Sequence, residues 1–300
     1  MEDNVYHIWG RTRFNRRKRV NVLRDANKSY DSHGGEWSAR FKINEALPGI
    51  FHIGDELGVH CTLIVGRNEA LLFDTGYGLF NIAAQVRSIT SNPLRVILSH
   101  GHHDHACGAY QFDAAYVDQA DIDVAKHYCA AQTRGRVLDQ AKNILPADYD
   151  KDGYRGIGAG NLAALQENEF DLGGVAVSVL RMPGHTPGSI GLFVQPHRLL
   201  LPADNWNPTT WVFFPECESI STYVRSINSA MAYPFEWALA PHWPALVAGE
   251  RLRRYAQGLR YDILAAAKPS PGMQKSTIVF CNPEPETTLV FDIEKIGDRW

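Results

Sequence analysis

The stretch at residues 94–108, LRVILSHGHHDHACG, places a short apolar run directly before a cluster of histidines and an aspartate. The run Val96–Leu98 predicts a buried strand, and the polar residues predict a loop at its carboxyl end, where ligands bind in open α/β sheets. Two histidines that are two residues apart in extended chain can turn the same way and share one metal ion. The Asp-His pair then offers an oxygen and a nitrogen to a second ion. The pattern favours a metal site over a histidine-rich surface loop.

Three later segments end strand-like runs in the same way. RMPGHTPGS at residues 181–189 places a histidine in a turn framed by glycine and proline, after the apolar run Val175–Leu180. The segment LLLPAD ends in Asp204, and the segment WALAPH ends in His242. In all four places, a strand-like run delivers a potential metal ligand where the strand ends.

Taken together, the motifs FDTG (73–76), SHGHHDH (99–105) and GHTPGS (184–189), with Asp204 and His242, resemble those of the metallo-β-lactamase superfamily. Within it, they resemble the glyoxalase II-like branch, which carries two metals. The resemblance covers roughly residues 48–265. It implies a four-layer αββα sandwich of the α/β class, in which two βα halves face each other. It is a poor guide to substrate, because one fold and one site serve many reactions.

The resemblance implies a set of seven metal ligands, and every position of the set is filled in this chain. The ligands are His100, His102 and His185 for the first ion, Asp104, His105 and His242 for the second ion, and Asp204 as the bridge between them. Asp74, in the FDTG motif, is expected beside the metals as a hydrogen-bonding support. His103 lies between ligands and is expected not to be one.

The ligand types suggest the metal and the chemistry. Imidazole and carboxylate together suit zinc, iron or manganese, and zinc is favoured. Two divalent ions about 3.5–4 Å apart can hold a bridging hydroxide near neutral pH, while one of them polarises the bond to be cleaved. Asp104 is the expected catalytic residue, since its carboxylate can orient that hydroxide. The resemblance thus implies a dinuclear metallo-hydrolase that attacks an ester, thioester, lactone or related bond in a small molecule.

Two other functions are open on the same fold. The first is an iron-dependent redox enzyme of the persulfide dioxygenase type, but such relatives need one iron, and His105 and His242 here provide for a second metal. The second is a non-catalytic binding module, which the complete ligand set disfavours.

The sequence says less about the substrate than about the metal site. The basic cluster and the C-terminal helical domain of glyoxalase II are not recognisable, which argues against glutathione thioesters. Four residues flank the ligands and either line an apolar pocket or pack in the core: Asn205, Trp206, Trp211 and Trp243.

The composition is that of a globular protein, with 45% hydrophobic and 21% charged residues and a formal net charge of −3. This charge argues against nucleic acid and membrane as general partners, although the basic run Arg11–Arg24 leaves contact with an acidic partner open. No apolar run approaches the ~20 residues that span a bilayer. The N-terminus lacks the apolar core of a signal peptide. The five scattered cysteines indicate free thiols. We therefore expect a cytoplasmic protein.

The chain is expected to divide into a polar, basic arm at residues 1–45 and a metallo-β-lactamase-like domain at residues 46–300. Residues 131–170 fit the core of the family least well, and we expect this insertion to build a substrate wall. Within it, residues 146–161 are predicted to be a long loop. Further along, residues 248–267 are predicted to form one helix, and residues 270–300 are predicted to contain a strand pair.

Overall fold

Two β-sheets face each other in the computed structural model, which describes residues 28–30, 36–38, 40–270, 273 and 275–300. A short antiparallel pair precedes them, β1 (Lys28–Tyr30) with β2 (Glu36–Ser38). The first sheet contains, in spatial as in chain order, β3 (Phe41–Leu47), β4 (Ile50–Asp55), β5 (His60–Val65), β6 (Ala70–Phe73), β7 (Leu94–Ile97), β8 (Ala115–Val117) and β9 (Leu162–Ala164). The basic run Arg11–Arg24 lies outside the described residues.

The second sheet is built from the second half of the chain. It contains β10 (Glu169–Asp171), β11 (Ala176–Arg181), β12 (Ile190–Gln195) and β13 (Leu199–Leu201). The next strand along the chain, β14 (Thr209–Val212), belongs to a third sheet. The second sheet is completed by β15 (Trp237–Ala238), which pairs parallel with β13, and by β16 (Val247–Ala248).

Eight helices lie among the described residues. They are α1 (Ile82–Ile89), α2 (His103–Ala106), α3 (Ile122–Tyr128), α4 (Ala131–Ala141), α5 (Lys151–Gly156), α6 (Ile220–Ala230), α7 (Gly249–Gly258) and α8 (Tyr261–Ala265). The first sheet changes from antiparallel to parallel pairing at β6 and β7, and α1 lies in the crossover that a parallel pair requires. Asn81 caps α1 by accepting a hydrogen bond from the Ala84 backbone N–H at 2.9 Å.

Apolar side chains fill the spaces between these layers. One cluster joins the inner faces of both sheets, for example Ile64 and Leu71 with Leu192 and Leu201. A second cluster packs α1 and α3 on the outer face of the first sheet, and a third packs α6 and α7 on the second. The predicted four-layer αββα sandwich is confirmed.

The C-terminal strand pair forms, and it belongs to a third sheet. β18 (Ile278–Cys281) and β19 (Thr288–Asp292) are antiparallel, β17 (Lys268–Pro269) pairs with β18, and β14 pairs with β19. Leu289 and Phe291 join the apolar cluster under α6 and α7. The pair thus packs on the second half of the sandwich without extending either main sheet.

Two predicted elements are wrong in detail. Residues 146–161 are not one long loop, because α5 forms within them, and Asp150 caps it by accepting a hydrogen bond from the Gly153 N–H at 2.8 Å. The predicted single helix over residues 248–267 breaks at Leu259 into α7 and α8. A Cβ atom at Gly258 would lie 1.8 Å from the Pro283 carbonyl oxygen, so the C-terminal segment passes directly over this helix end.

None of the described helices is long and apolar enough to cross a membrane. All five cysteines are buried and free, as the sequence indicated.

Candidate metal centre

The seven predicted ligands lie together at one edge of the sandwich, in two groups. The groups are His100, His102 and His185, and Asp104, His105, Asp204 and His242. Within each group, the potential ligand atoms all lie within 4.8 Å of one another. Each ligand follows the end of a strand, namely β7, β11, β13 or β15. The strand ends therefore bring together residues that are far apart in the sequence.

The loop after β7 supplies four of the seven ligands. His102 is extended (φ −69°, ψ 155°), and α2 begins directly after it, with the His105 and Ala106 N–H groups donating to the His102 carbonyl. This change from extended chain to helix sends His102 into one group and His105 into the other. A Cβ atom at Gly101 would lie 2.5 Å from the Ala125 backbone nitrogen, so the close packing of this loop on α3 requires glycine.

Asp121 ties the two main ligand loops together. It is fully buried and accepts hydrogen bonds from the Gly101 N–H at 2.8 Å, the Thr186 hydroxyl at 2.7 Å and the Gly188 N–H at 2.7 Å. His100 and His102 are thereby held in register with His185. No spacing pattern in the sequence marks this role of Asp121.

The imidazoles of the first group present lone pairs to one another. The His185 Nδ1–H donates to the Trp211 carbonyl at 2.6 Å, because a carbonyl can only accept. The His102 Nε2–H donates to Glu216 at 2.6 Å. In neutral rings, these partners leave the lone pairs on His185 Nε2 and His102 Nδ1, which lie 2.9 Å apart. His100 Nε2 is also buried and has no hydrogen-bond partner. Three convergent nitrogen lone pairs fit a cation.

The second group is arranged in the same way around carboxylates. The His105 Nδ1–H donates to Asp74 at 2.9 Å, which turns His105 Nε2 toward Asp104 and Asp204. The two nearest carboxylate oxygens are 3.5 Å away, and Nε2 is buried without a hydrogen-bond partner. His242 Nε2 lies 3.4 Å from Asp104 and 3.3 Å from Asp204. Two carboxylates and two imidazole nitrogens that converge in this way also fit a cation.

Asp204 faces both groups with different oxygens. Its Oδ2 lies 3.5 Å from His185 Nε2, and its Oδ1 lies 3.5 Å from His105 Nε2. Asn207 holds the carboxylate by donating its Nδ2–H to Asp204 Oδ1 at 3.0 Å, and it also accepts the His242 backbone N–H at 3.2 Å. Asp204 therefore lies between the two groups and faces each of them with a different oxygen.

Proton affinities differ between the two groups. Burial and then the neighbouring imidazole of His102 lower the pKa of His185 to about 4, so the His185 ring is neutral. In the second group burial acts in the same direction, but the Asp204 and Asp104 carboxylates outweigh it and raise the pKa of His242 to about 10. In the metal-free protein, a proton on His242 therefore supplies positive charge between these carboxylates. A metal ion that binds there must displace it.

The other predicted residues fall into different places. Asp74 lies beside the centre, with its second oxygen accepting the Ser99 N–H at 2.7 Å. His103 is outside both groups and stacks on Tyr128. Asn205 and Trp206 are core residues, since both are fully buried. Trp211 and Trp243 are 46% and 38% exposed and are available to a substrate.

An aromatic wall borders the first group on the outside. We use this name for Trp211, Phe213 and Phe214. The Phe214 ring centroid lies 5.1 Å from that of His102 and 5.8 Å from that of His185. Phe213 packs on both Phe214 and Trp211, at 4.7 and 5.6 Å. The wall thus leads from two of the predicted ligands to the solvent.

Comparison with known proteins places these motifs in a family. The family model described as "Metallo-beta-lactamase superfamily" matches residues 54–257. The acyl-coenzyme A thioesterase MBLAC2 of Bos taurus and that of Homo sapiens are each 26% identical over 188 residues. Each alignment covers 56% of this chain and 66% of the relative, so the chain spans about two thirds of the length of these relatives.

Solved structures agree at the level of the fold. A sec-alkylsulfatase from Pseudomonas sp. aligns with a TM-score of 0.58 and 15% identity, over 81% of this chain and 51% of the sulfatase. A metallo-beta-lactamase from Pontibacter korlensis aligns with a TM-score of 0.51 and 13% identity, over 73% of this chain and 98% of that structure.

Proposed function

Because the chain belongs to the metallo-beta-lactamase superfamily, we propose that it is a dinuclear metal-dependent hydrolase of small-molecule thioesters or related esters. The observation that carries this proposal is the position of Asp204. One of its oxygens faces His185 in the first group, and the other faces His105 and His242 in the second. A carboxylate shared in this way suits two adjacent ions rather than one.

The donor atoms support divalent ions of the zinc, iron or manganese type, and zinc is favoured for its affinity for imidazole. When bound, such ions lower the pKa of a water molecule and polarise a carbonyl oxygen. We assign His100, His102 and His185 to the first ion and Asp104, His105 and His242 to the second, with Asp204 shared. Asp74 and Asn207 orient these ligands from behind.

We assign Asp104 the catalytic role of orienting the attacking water. Its side chain is 13% exposed, so a water molecule can reach it, and its Oδ2 points into the second group. The carboxylate can accept a hydrogen bond from the water and hold its lone pair toward the carbonyl carbon of the substrate. Burial is again opposed by stronger effects, because the neighbouring His105 and His242 imidazoles keep the pKa of Asp104 well below its usual range.

Two observations favour a thioester among the bonds that the site can cleave. The relatives that share about 26% sequence identity with the chain include acyl-coenzyme A thioesterases. The aromatic wall offers apolar surface next to the first group, where the acyl group of such a substrate can pack. Lactones and other esters react at the same kind of carbonyl group, so they are included in the same hydrolysis assay.

A hydrolysis panel tests this proposal. The protein is loaded separately with zinc, manganese and iron and assayed on an acyl-coenzyme A, a lactone, an aryl ester, a phosphodiester and a β-lactam. We expect metal-dependent thioester hydrolysis that falls more than about 100-fold in His102→Ala, because a metal ligand is lost. His103→Ala, the adjacent non-ligand, is the matched control and should stay within a few-fold of wild type. Equal activity in His102→Ala and wild type would contradict the proposal. Iron-dependent oxygen uptake with a thiol substrate, without hydrolysis, would favour the redox alternative.

A further inference from the structure

We propose that Glu216, together with Tyr128, is the positioning residue that prepares His102 to bind metal, an inference that rests on the proposed function. One carboxylate oxygen of Glu216 accepts both the His102 Nε2–H and the Tyr128 hydroxyl, each at 2.6 Å. Glu216 lies 114 residues after His102 in the chain, and no motif points to it.

The first step of the argument is the tautomer of His102. A carboxylate accepts hydrogen bonds and cannot donate them, so it fixes the ring proton on Nε2. The opposite nitrogen, Nδ1, then carries the lone pair that faces His185. A neutral ring with its proton on Nδ1 has no lone pair to offer to an ion at this place. Glu216 therefore selects the form of His102 that can be a ligand.

The second step is charge. The other two histidines of the first group have neutral partners at their outer nitrogens, the Ser99 hydroxyl for His100 and the Trp211 carbonyl for His185. Within this group, His102 is the ligand whose outer partner is a carboxylate. A carboxylate makes the imidazole a stronger donor to a metal than a neutral acceptor does. The first ion should therefore depend on Glu216 more than on the partners of His100 and His185.

The third step is rigidity. The Lys295 ammonium donates to the carbonyls of Phe214, Pro215 and Cys217 at 3.1, 2.8 and 2.7 Å, and so holds the backbone on both sides of Glu216. The His102 ring is confined between Tyr128 and Phe214, with centroid distances of 4.5 and 5.1 Å. Both partners of the hydrogen bond are thus fixed before a metal arrives. This distinguishes a positioning contact from a surface ion pair, which is worth little.

Three variants separate this role from a structural one. Glu216→Gln keeps an acceptor oxygen and removes the charge, Glu216→Ala removes both, and Tyr128→Phe removes the second hydrogen bond. Glu218→Gln is the matched control, because it removes the same charge two residues further along the same segment. The readouts are the affinity for the first ion by competition with a chelator, the visible spectrum of the cobalt-loaded protein, and the ¹⁵N chemical shifts of His102 in the metal-free protein.

We expect Glu216→Ala to weaken binding of the first ion 10- to 100-fold, the size of effect typical for such partners. Its cobalt spectrum should change, and its His102 shifts should report a mixture of tautomers. Glu216→Gln should recover part of the affinity, Tyr128→Phe should lose less than Glu216→Ala, and Glu218→Gln should match wild type. If Glu216→Ala does not fold, the comparison of Glu216→Gln with Glu218→Gln carries the test.

Two results would overturn the inference in different ways. First, Glu216→Ala and Glu216→Gln could both bind the first ion with wild-type affinity and show an unchanged cobalt spectrum. This result would show that Glu216 does not position His102, and it would leave the proposed metal site unaffected. A wild-type protein that binds no divalent ion would remove the proposed function, and the inference with it.

Discussion

At the scale of single residues, the partner of the outer ring nitrogen decides what a histidine does. In the metal groups, outer acceptors turn lone pairs inward. His52 and His60, on β4 and β5, belong to neither group and contact backbone carbonyls instead. Their rings stack at 4.4 Å, His52 Nε2 meets the Trp243 carbonyl at 3.0 Å, and His60 Nδ1 meets the Pro241 carbonyl at 2.9 Å. These two residues bind the backbone carbonyls directly before and directly after His242, and so hold the loop that carries it.

This contact makes the stability of the protein sensitive to acid. Burial, and then the neighbouring His60, lower the pKa of His52 from 6.5 to about 4. Between these values the unfolded chain binds a proton at this position and the folded chain does not, so stability is present above pH 6.5 and falls as the pH drops toward 4. From pH 7 to pH 4.5, the unfolding free energy of wild type should fall by about 2–3 kcal/mol more than that of His52→Gln.

Urea denaturation across this pH range measures the difference. His127→Gln, at an exposed histidine, is the control and should follow wild type. Parallel curves for His52→Gln and wild type would show that His52 takes up its proton equally in the folded and unfolded states.

At the scale of elements, a buried arginine organises the start of the 131–170 insertion. Arg134 on α4 is fully buried and donates to the carbonyls of Cys129, Cys107 and Gly158 at 3.1, 2.8 and 2.9 Å. Its guanidinium also lies 4.8 Å from the ring centroid of Tyr154 on α5. Arg134 therefore joins α4 and α5 to the loop that follows the predicted metal ligands on α2. The substrate-wall role of this insertion stays a prediction.

We expect Arg134→Met to destabilise the protein by on the order of 3 kcal/mol, because it leaves three carbonyls without a charged donor. Arg136→Met, at an exposed position two residues further along the same helix, should change stability by less than about 0.5 kcal/mol. Guanidinium denaturation of both variants measures this. Equal midpoints for the two would mean that the contacts of Arg134 add no net stability.

The aromatic wall is the element that should set acyl preference. We expect Trp211→Ala and Phe213→Ala to raise the KM for an octanoyl thioester about tenfold through lost apolar contact, and to leave the acetyl thioester nearly unchanged. Trp237→Ala is the control, since Trp237 is 40% exposed but lies at the start of β15, paired with Leu199 and Ala248. A chain-length profile that is the same in all three variants and wild type would place the acyl group elsewhere.

At the scale of the whole molecule, the features that local sequence patterns encode were predictable. The superfamily and the layered fold are confirmed, whereas the hydrolase activity, the glyoxalase II-like branch, the cytoplasmic location and the domain boundaries stay predictions. The seven predicted ligands lie together because each belongs to a segment that follows an apolar strand, and their role as ligands stays a prediction. The roles of three residues were not predicted: Asp121, Asn207 and Glu216. These roles come from tertiary contacts, and the residues have no fixed spacing in the sequence to their partners. The break at Leu259 has the same origin, since it depends on the passage of Pro283 over Gly258.

The central claim is that this chain holds two divalent ions through a shared Asp204. The most direct test is the metal content of wild type and Asp204→Ala, measured by native mass spectrometry with zinc, with Asp113→Ala as an exposed control. We predict two ions per chain in wild type and in Asp113→Ala, and at most one in Asp204→Ala, because the shared carboxylate is lost. A wild-type chain that binds fewer than two ions at saturation, or an Asp204→Ala chain that still binds two, would contradict the claim.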